Sequence, residues 1–378
     1  MHTELTTFSA DLYKRLSAIS GVISSHPVLP ILENFLIEID GNSLKATASD
    51  LQTAVSTCLE VQCKNQVRMA VPARILLDTL KSLPQEQIVI SLEADSCQIH
   101  IKTKQGRYRL CGERAEDFPT PASLETMLST KLPSPSLKRA IGSTLVAVGQ
   151  DEIRPAMGGI YIGWADRALS FVSTDGHRLV RYILLDTPAE CTTQTAFSCV
   201  VPRKSLALLN GLLSPSDQHL HMTCDGQHIS FQSSTFCAVA RLIDDRYPDY
   251  ENVIPDHNPK QLVVSRGHLI NTLRRIAIYA SKTTYQVRLS LQTAHLQIYA
   301  EDVDFAHQAV EQMPCRYTGG AFEVGFNARF LIEILNVLSA DEIVMRFSEP
   351  HRACLVVPHP SDPKEDVLML IMPVLLGT

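Results

Sequence analysis

No stretch of this chain approaches the roughly 20 consecutive apolar residues that a membrane span requires. Runs such as VLPILENFLIEI, starting at Val28, are broken by Pro, Glu and Asn. The opening MHTELTTFSADLYKRL has no basic start followed by an apolar stretch, so no signal peptide is expected and the cytosol is the expected location. There is no CxxC pair and no Cys/His cluster at zinc spacing. In a chain of 378 residues, too long to need disulfide staples, the ten cysteines read as small, reduced hydrophobes. GxSxG, HExxH, Walker-type and GxGxxG motifs are all missing. Asp175 and His177 could suggest a hydrolase, but within one tight hairpin the Asp is poorly placed to orient the His. No catalytic residue, metal site or cofactor is therefore expected.

Positive charge is not in excess either. With 34 Lys and Arg against 40 Asp and Glu the formal net charge is −6, which argues against nucleic-acid binding over the whole surface. An apolar content of 45% is nevertheless enough for a core in each of several domains.

What the chain has is self-similarity. VPARILLDTLKSL from Val71 returns as VPRKSLALLNGLL from Val201 and as VGFNARFLIEILNVL from Val324, each an amphipathic helix entered from a strand. A second helix-like segment opens each unit: DLYKRLSAI from Asp11, LKRAIGSTLVA from Leu137 and HLINTLRRIAIYA from His268. Pro119, Pro248 and Pro373 close the units, 46, 45 and 45 residues after Ala73, Arg203 and Ala328. A period of about 125 to 130 residues is too long for solenoid units, which run to about 50, so the repeats are whole domains. Length alone allows two to four domains, and the repeat selects three.

Between the helices, short segments alternate apolar and polar residues at the period of a strand. Examples are QIVISLEADSCQIHIKT, ALSFVSTDGHRLVRYILL and YQVRLSLQTAHLQIYAEDVDFAHQAVEQM. Asp175-Gly176 and Asp225-Gly226 suit tight hairpins that need positive φ. Linkers are expected near SLETMLSTKLPSPS and PDHNPKQ. Each unit is thus α+β, two helices gathered on one face of antiparallel sheets.

The six helix-like segments hold twelve Lys or Arg and three acids, about +9, leaving about −15 for the rest of the chain. The cations are Lys14, Arg15, Arg74, Lys81, Lys138, Arg139, Arg203, Lys204, Arg274, Arg275, Lys282 and Arg329. Any one of them could simply decorate a solvated face. Recurring in three units, they point to a shared basic face that looks at a polyanion.

The repeat, the VPAR and VPRK helix starts, LPIL at Leu29–Leu32, TDGHRLV at Thr174–Val180, RYPDY at Arg246–Tyr250 and the terminal MP followed by apolar residues resemble the bacterial DNA polymerase III beta subunits, the DNA sliding clamps. The resemblance runs along essentially the whole chain and keeps order and spacing. It implies three tandem clamp domains at 1–125, 129–254 and 255–378, closed head to tail with a second copy into a ring. It also implies a non-catalytic processivity factor whose helices line a hole for double-stranded DNA. A ring that holds DNA yet slides needs attraction to phosphates without base-specific grip, which flexible Lys and Arg supply. A rival is a three-domain scaffold that binds peptides and never encircles DNA; the repeated helix charge argues against it.

By the same resemblance the DNA-binding residues are Lys14, Arg15, His26, Arg74, Lys81, Lys138, Arg139, Gln150, Arg203, Lys204, Arg274, Arg275 and Arg329. His26 stands where the family often has arginine, and Arg154-Pro155-Ala156 replaces a stretch that is often aromatic. A hydrophobic pocket for a short linear motif is implied, with DNA polymerase III alpha subunit, the clamp loader and other clamp-motif proteins as partners. Its wall comprises Met157, Thr174, Gly176, His177, Arg178 and Leu179. Pro248, Asn252, Val253, His351 and Ala353 continue it. Leu370, Ile371, Met372, Pro373, Val374, Leu375 and Leu376 close it. Asn252 and Leu375 occupy places that are often basic, and Gly377-Thr378 extends the tail. On its own TDGHR reads as a hairpin turn with a polar flank, and the tail as a strand that finishes a core. The subunit contact is expected to join Tyr108 and Leu110 on an edge strand to Ile278 and Tyr279 near a helix end.

Overall fold

The structure, a computed structural model, describes residues 2–63, 65–119, 124–151, 153–187, 189–192, 196–214 and 218–376. Six α-helices stand where the two repeated helix patterns place them: α1 (Ser9–Ile19), α2 (Ala73–Ser82), α3 (Ser134–Thr144), α4 (Arg203–Leu212), α5 (Arg266–Ile276) and α6 (Ala328–Asn336). The third repeat shows why they form. Asn327 caps α6, its Oδ1 accepting from the amides of Arg329 at 2.9 Å and Phe330 at 3.3 Å, which satisfies two otherwise orphaned donors. Leu331, Ile334 and Leu335 then recur at helical spacing on the buried face. Ser265 caps α5 in the same way through the amide of His268, and Leu269, Ile270, Leu273 and Ile276 face inward.

α5 is shorter than the 268–282 that its sequence suggests. After Ile276 the chain tightens into a 3-10 turn, Ala277–Tyr279, and becomes extended at the fully buried Ala280. The expected first linker is also shorter, because Leu128–Pro133 within it forms a strand.

All strand pairings among the described residues are antiparallel, and the chain divides into two compact units that are not the sequence repeats. The first comprises Met1–Pro135, Ala189–Gln194 and Lys204–Leu242; the second comprises Ser136–Pro188, Thr195–Arg203 and Ile243–Thr378. Each unit has one four-stranded and one nine-stranded sheet. The nine-stranded sheets explain the division, since each runs through two repeats without a break. In the first unit Thr53–Glu60 pairs with Phe236–Arg241, setting Thr53 opposite Ala240. In the second unit Arg178–Leu184 pairs with Glu365–Ile371, setting Arg178 opposite Ile371.

These two seams join equivalent strands of successive repeats. One copy of each kind is left over. Arg107–Cys111 ends the four-stranded sheet of the first unit, and His307–Pro314 ends that of the second. The strand register also revises the proline landmarks. Pro119 and Pro248 come eight and seven residues after the ends of Arg107–Cys111 and Phe236–Arg241, whereas Pro373 comes only two after Glu365–Ile371. Pro373 is therefore not the structural counterpart of the other two.

The tight turns behave as their residues dictate. Gly176 and Gly226 take φ of +87° and +88°, and Asp175 and Asp225 each accept two amides of the following turn through one oxygen. Asp50 does the same in the first repeat, with Leu51 rather than glycine held at φ +73°. In the second unit α5 and α6 pack together over a core that includes Val264, Met345, Met369 and Ile371 from one sheet and Leu289, Ile298 and Phe326 from the other. In the first unit α1 and α2 pack together through faces that bury Leu12, Leu16, Leu76 and Leu80.

Candidate functional site

Alternation at period two decides which side chains meet in the second unit. Leu179 lies opposite Leu370, which lies opposite Leu355 on the next strand. These three leucines are buried in one apolar cluster with Ala156, Val172, Val200, Tyr247 and Ala353. Tyr161, Ile243, Tyr250, Ile254 and Leu368 are partly buried against it. The intervening residues Val180, Met369, Ile371, Cys354 and Val356 point the other way, into the core beneath α5 and α6. The structure thus brings Leu179, Ala353 and Leu370 into one cluster. It corrects Ile371, which is 0% exposed on the opposite face of the sheet and cannot line the same wall.

Arg178 is corrected for the same reason. As the neighbour of Leu179 in one strand it projects away from the cluster, pairs with Asp175 at 3.0 Å and with Glu333, and lies 4.6 Å over the ring of Phe330 on α6. His177 stacks on the same ring at 5.9 Å. Both side chains brace the hairpin against Phe330 of α6. Thr174 and Gly176 shape the turn: Thr174 Oγ1 donates to the Arg178 carbonyl and accepts from the Gly176 amide.

The other residues expected in the pocket are mostly more exposed. Val253, Met372 and Leu375 are 56%, 41% and 80% exposed, large values for apolar side chains. Pro248 and Asn252 are exposed in the same segment as Val253, and Asn252 Nδ2 donates to Asp249 at 2.7 Å. His351 is exposed beside Ala353 and lies 3.2 Å from Glu349. Met157 is buried in the 3-10 turn Pro155–Gly158, its carbonyl accepting from the Gly149 amide. The tail is anchored. The Met372 amide donates to the His177 carbonyl at 2.8 Å, and the Val374 amide donates to Gly325 at 2.9 Å. A Cβ on Gly325 would lie 2.6 Å from the Val374 carbonyl and 2.8 Å from the Leu376 side chain, so only glycine fits beneath the tail. Pro373, Val374 and Leu376 are half-buried, and Gly377 and Thr378 lie outside the described residues.

Sequence reasoning missed the tyrosines. Tyr161 lies 5.4 Å from Tyr247 and 5.7 Å from Tyr250, ring to ring, forming an aromatic side to the cluster. Burial pushes the Tyr250 phenol up to about 12 and raises Tyr247 as well. RYPDY carried the signal, through its two tyrosines, but nothing local tells which way they point.

The helix cations divide into two groups. Arg139 on α3 pairs with Glu365, whose other oxygen accepts from the Tyr182 hydroxyl. Lys204 on α4 pairs with Asp50. Arg275 on α5 grips Glu311 bidentately at 2.8 and 2.6 Å. That hydrogen bonding holds the Glu311 carboxyl below its usual range. Arg274 donates to Asn336 at 3.1 Å, Arg329 lies 3.4 Å over the Tyr285 ring, and Lys282 Nζ donates to the Ile278 carbonyl. Lys14, Arg74, Lys81, Lys138 and Arg203 are exposed, and Arg15 is half-buried. Among the described residues, Lys14, Arg74, Lys81 and Arg203 have no ion-pair partner. His26 and Gln150 are exposed on loops. The expected helix charge of about +9 therefore overstates what the helices present, because at least three of the twelve cations are already matched among the described residues.

At the edge strands, Tyr108 is 40% exposed, whereas Leu110 is 7% exposed and belongs to its own core, a correction to the pair. Ile278 and Tyr279 are exposed in the 3-10 turn after α5. Three further apolar residues on or beside His307–Pro314 escaped the sequence reading: Val303, Phe305 and Val310, at 79%, 69% and 55% exposed. For Val303 and Phe305, their place in the acidic run EDVDF was the available signal.

Repeated α+β domains whose sheets continue from one repeat to the next define the class of DNA clamps. A crystal structure of a sliding clamp (DNA polymerase III subunit beta) from Pseudomonas aeruginosa bound to griselimycin superposes with a TM-score of 0.93 at 29% identity, covering 100% of both chains. The Bacillus subtilis DNA polymerase sliding clamp shares the fold at 22% identity, with a TM-score of 0.92 over the full length of both. The beta sliding clamp of Pseudomonas aeruginosa is 29% identical over 366 residues, 97% of this chain and 98% of the relative. That of Caulobacter vibrioides is 28% identical over 375 residues, 98% and 99% of the two. The N-terminal, central and C-terminal domains of DNA polymerase III beta subunit match residues 3–122, 131–249 and 251–374 in order. The chain belongs to the bacterial DNA polymerase III beta subunit family. It is a DNA sliding clamp, a non-catalytic processivity factor.

Proposed function

We propose that two copies of this chain close head to tail into a ring around double-stranded DNA and hold replication proteins through the leucine–tyrosine site of the second unit. The observation that carries the ring is the pair of unmatched edges. Two seams inside the chain join equivalent strands, and Arg107–Cys111 and His307–Pro314 are the remaining halves of a third seam. They belong to opposite ends of the repeat series, so a second copy supplies what the first lacks, and head-to-tail contacts give a ring when their rotation closes. The hairpins fix the expected register. Thr53, Arg178 and Ala306 each precede the closing pair of their hairpin, which sets Leu110 of one copy opposite Ala306 of the other and Tyr108 opposite Gln308. Exposed Val303, Phe305, Val310, Ile278 and Tyr279 flank this seam and supply its apolar area.

The repeat limits 1–125, 129–254 and 255–378 give six domains to the ring, with the helices inward. Lys14, Arg74, Lys81, Lys138 and Arg203 contact phosphates, with Arg15, Arg274, Arg329, His26 and Gln150 supporting them. Contacts of this kind carry no sequence information, so the ring slides. The apolar floor Leu179–Leu370–Leu355, rimmed by Val253, Met372 and Leu375, accepts the hydrophobic anchors of a linear motif. DNA polymerase III alpha subunit, the clamp loader and other clamp-motif proteins are its occupants, in the cytoplasm. The test is retention after loading. The protein should stay on circular duplex DNA and run off the same DNA once linearised; equal loss from both removes the ring.

A further inference from the structure

Arg139, Lys204 and Arg275 share an arrangement that the clamp reading does not require. In each pair the cation is the exposed partner, 45%, 56% and 54% exposed, and the carboxylate is the more buried one, with Glu365, Asp50 and Glu311 at 9%, 13% and 34%. The carboxylates are held by the sheets. Glu365 opens the strand that pairs with Arg178–Leu184 and accepts from Tyr182. Asp50 is fixed by the amides of Gln52 at 3.1 Å and Thr53 at 2.7 Å. Glu311 lies on the edge strand His307–Pro314 and is gripped bidentately. Both helices of the second repeat and one of the third are thus tied by a cation to a carboxylate on or beside a seam strand. A long, exposed cation on a fixed anion can exchange one oxygen ligand for another at small cost, since half-exposed pairs are weak.

We propose that Asp50, Glu311 and Glu365 are positioning residues that compete with DNA phosphates for Lys204, Arg275 and Arg139. They keep these cations at the channel wall and limit how many phosphates the ring neutralises at once. The proposal rests on the DNA-facing placement of the helices. Each occupied latch removes one cation from the phosphate count, which sets the steepness of salt dependence. A clamp with all its cations free would bind more tightly and move in larger, costlier steps.

The experiment is anisotropy of a labelled short duplex with the full-length protein across a series of salt concentrations. The near-isosteric variants Asp50→Asn, Glu311→Gln and Glu365→Gln keep the hydrogen-bonding shape of each anchor. Each is expected to steepen the slope of log affinity against log salt by up to about 0.9 per cation freed. Asp78→Asn, an exposed helix acid without an ion pair among the described residues, controls for lost charge alone and should leave the slope unchanged. In a Lys204→Gln background the gain from Asp50→Asn should vanish, a coupling that general electrostatics does not produce. Unchanged slopes in all three variants, while Lys14→Glu and Arg74→Glu still weaken binding, would overturn the latch and leave the DNA face standing. If neither set changes binding, the DNA face itself is wrong and the latch goes with it.

Discussion

Leu370 and Ile371 are adjacent, both almost wholly buried, and separated by the thickness of a sheet. Their substitutions should therefore part company. Ile371→Val is expected to cost about 0.5–1.5 kcal/mol of stability with motif-peptide affinity unchanged. Leu370→Ala is expected to cost about 2–5 kcal/mol and also to weaken the peptide, because the missing side chain is part of the floor. Urea denaturation and peptide titration of both variants check this; equal effects on the peptide would reject the division of faces. The buried phenols set a second residue-scale expectation. Tyr250 is raised to about 12 by burial, so the unfolded chain, with phenols near 10, releases protons first. Stability from this group is complete below about pH 10 and falls as pH rises toward about 12. Denaturation midpoints on both sides of pH ~10 should show the loss, and Tyr250→Phe should reduce it.

At the level of elements, the tail and the hairpins carry the sharpest tests. Gly325→Ala places a methyl group 2.6 Å from the Val374 carbonyl, in contact with backbone that cannot yield without lifting the tail. Motif-peptide affinity should drop while far-ultraviolet circular dichroism stays unchanged; an unaffected peptide would show that the tail does not serve the site. Leu51→Gly relieves a branched side chain from positive φ and should add about 1 kcal/mol, read as a higher urea midpoint. Helices and hairpins of this kind were legible because their causes are local. Leu331, Ile334 and Leu335 announce α6 by spacing, and Asp175-Gly176 announces its turn by φ. The seams were not legible, since Thr53 and Ala240 are far apart in sequence and nothing in either strand names the other. Ile371 and Arg178 were misplaced for a related reason. A motif aligned along the chain does not say which face of a strand each residue takes. The carboxylate partners of Arg139, Lys204 and Arg275 were hidden in the same way, contributed by strands and turns remote from their helices.

For the whole molecule, the proposed closure depends on one open edge meeting another. Val310→Lys puts a charge on the exposed apolar face of His307–Pro314, the usual device by which proteins keep edges apart. Sedimentation should show weaker self-association with an unchanged fold, and undiminished association would place the subunit contact elsewhere. The broken correspondence between repeat and compact unit has a practical corollary. The middle third of the chain donates one group of strands to each neighbour, so it is not a body that can be lifted out intact. Expressed alone, it would bear a bare rim of amides and carbonyls at both ends, each able to recruit the next molecule, and a filament would be its natural fate.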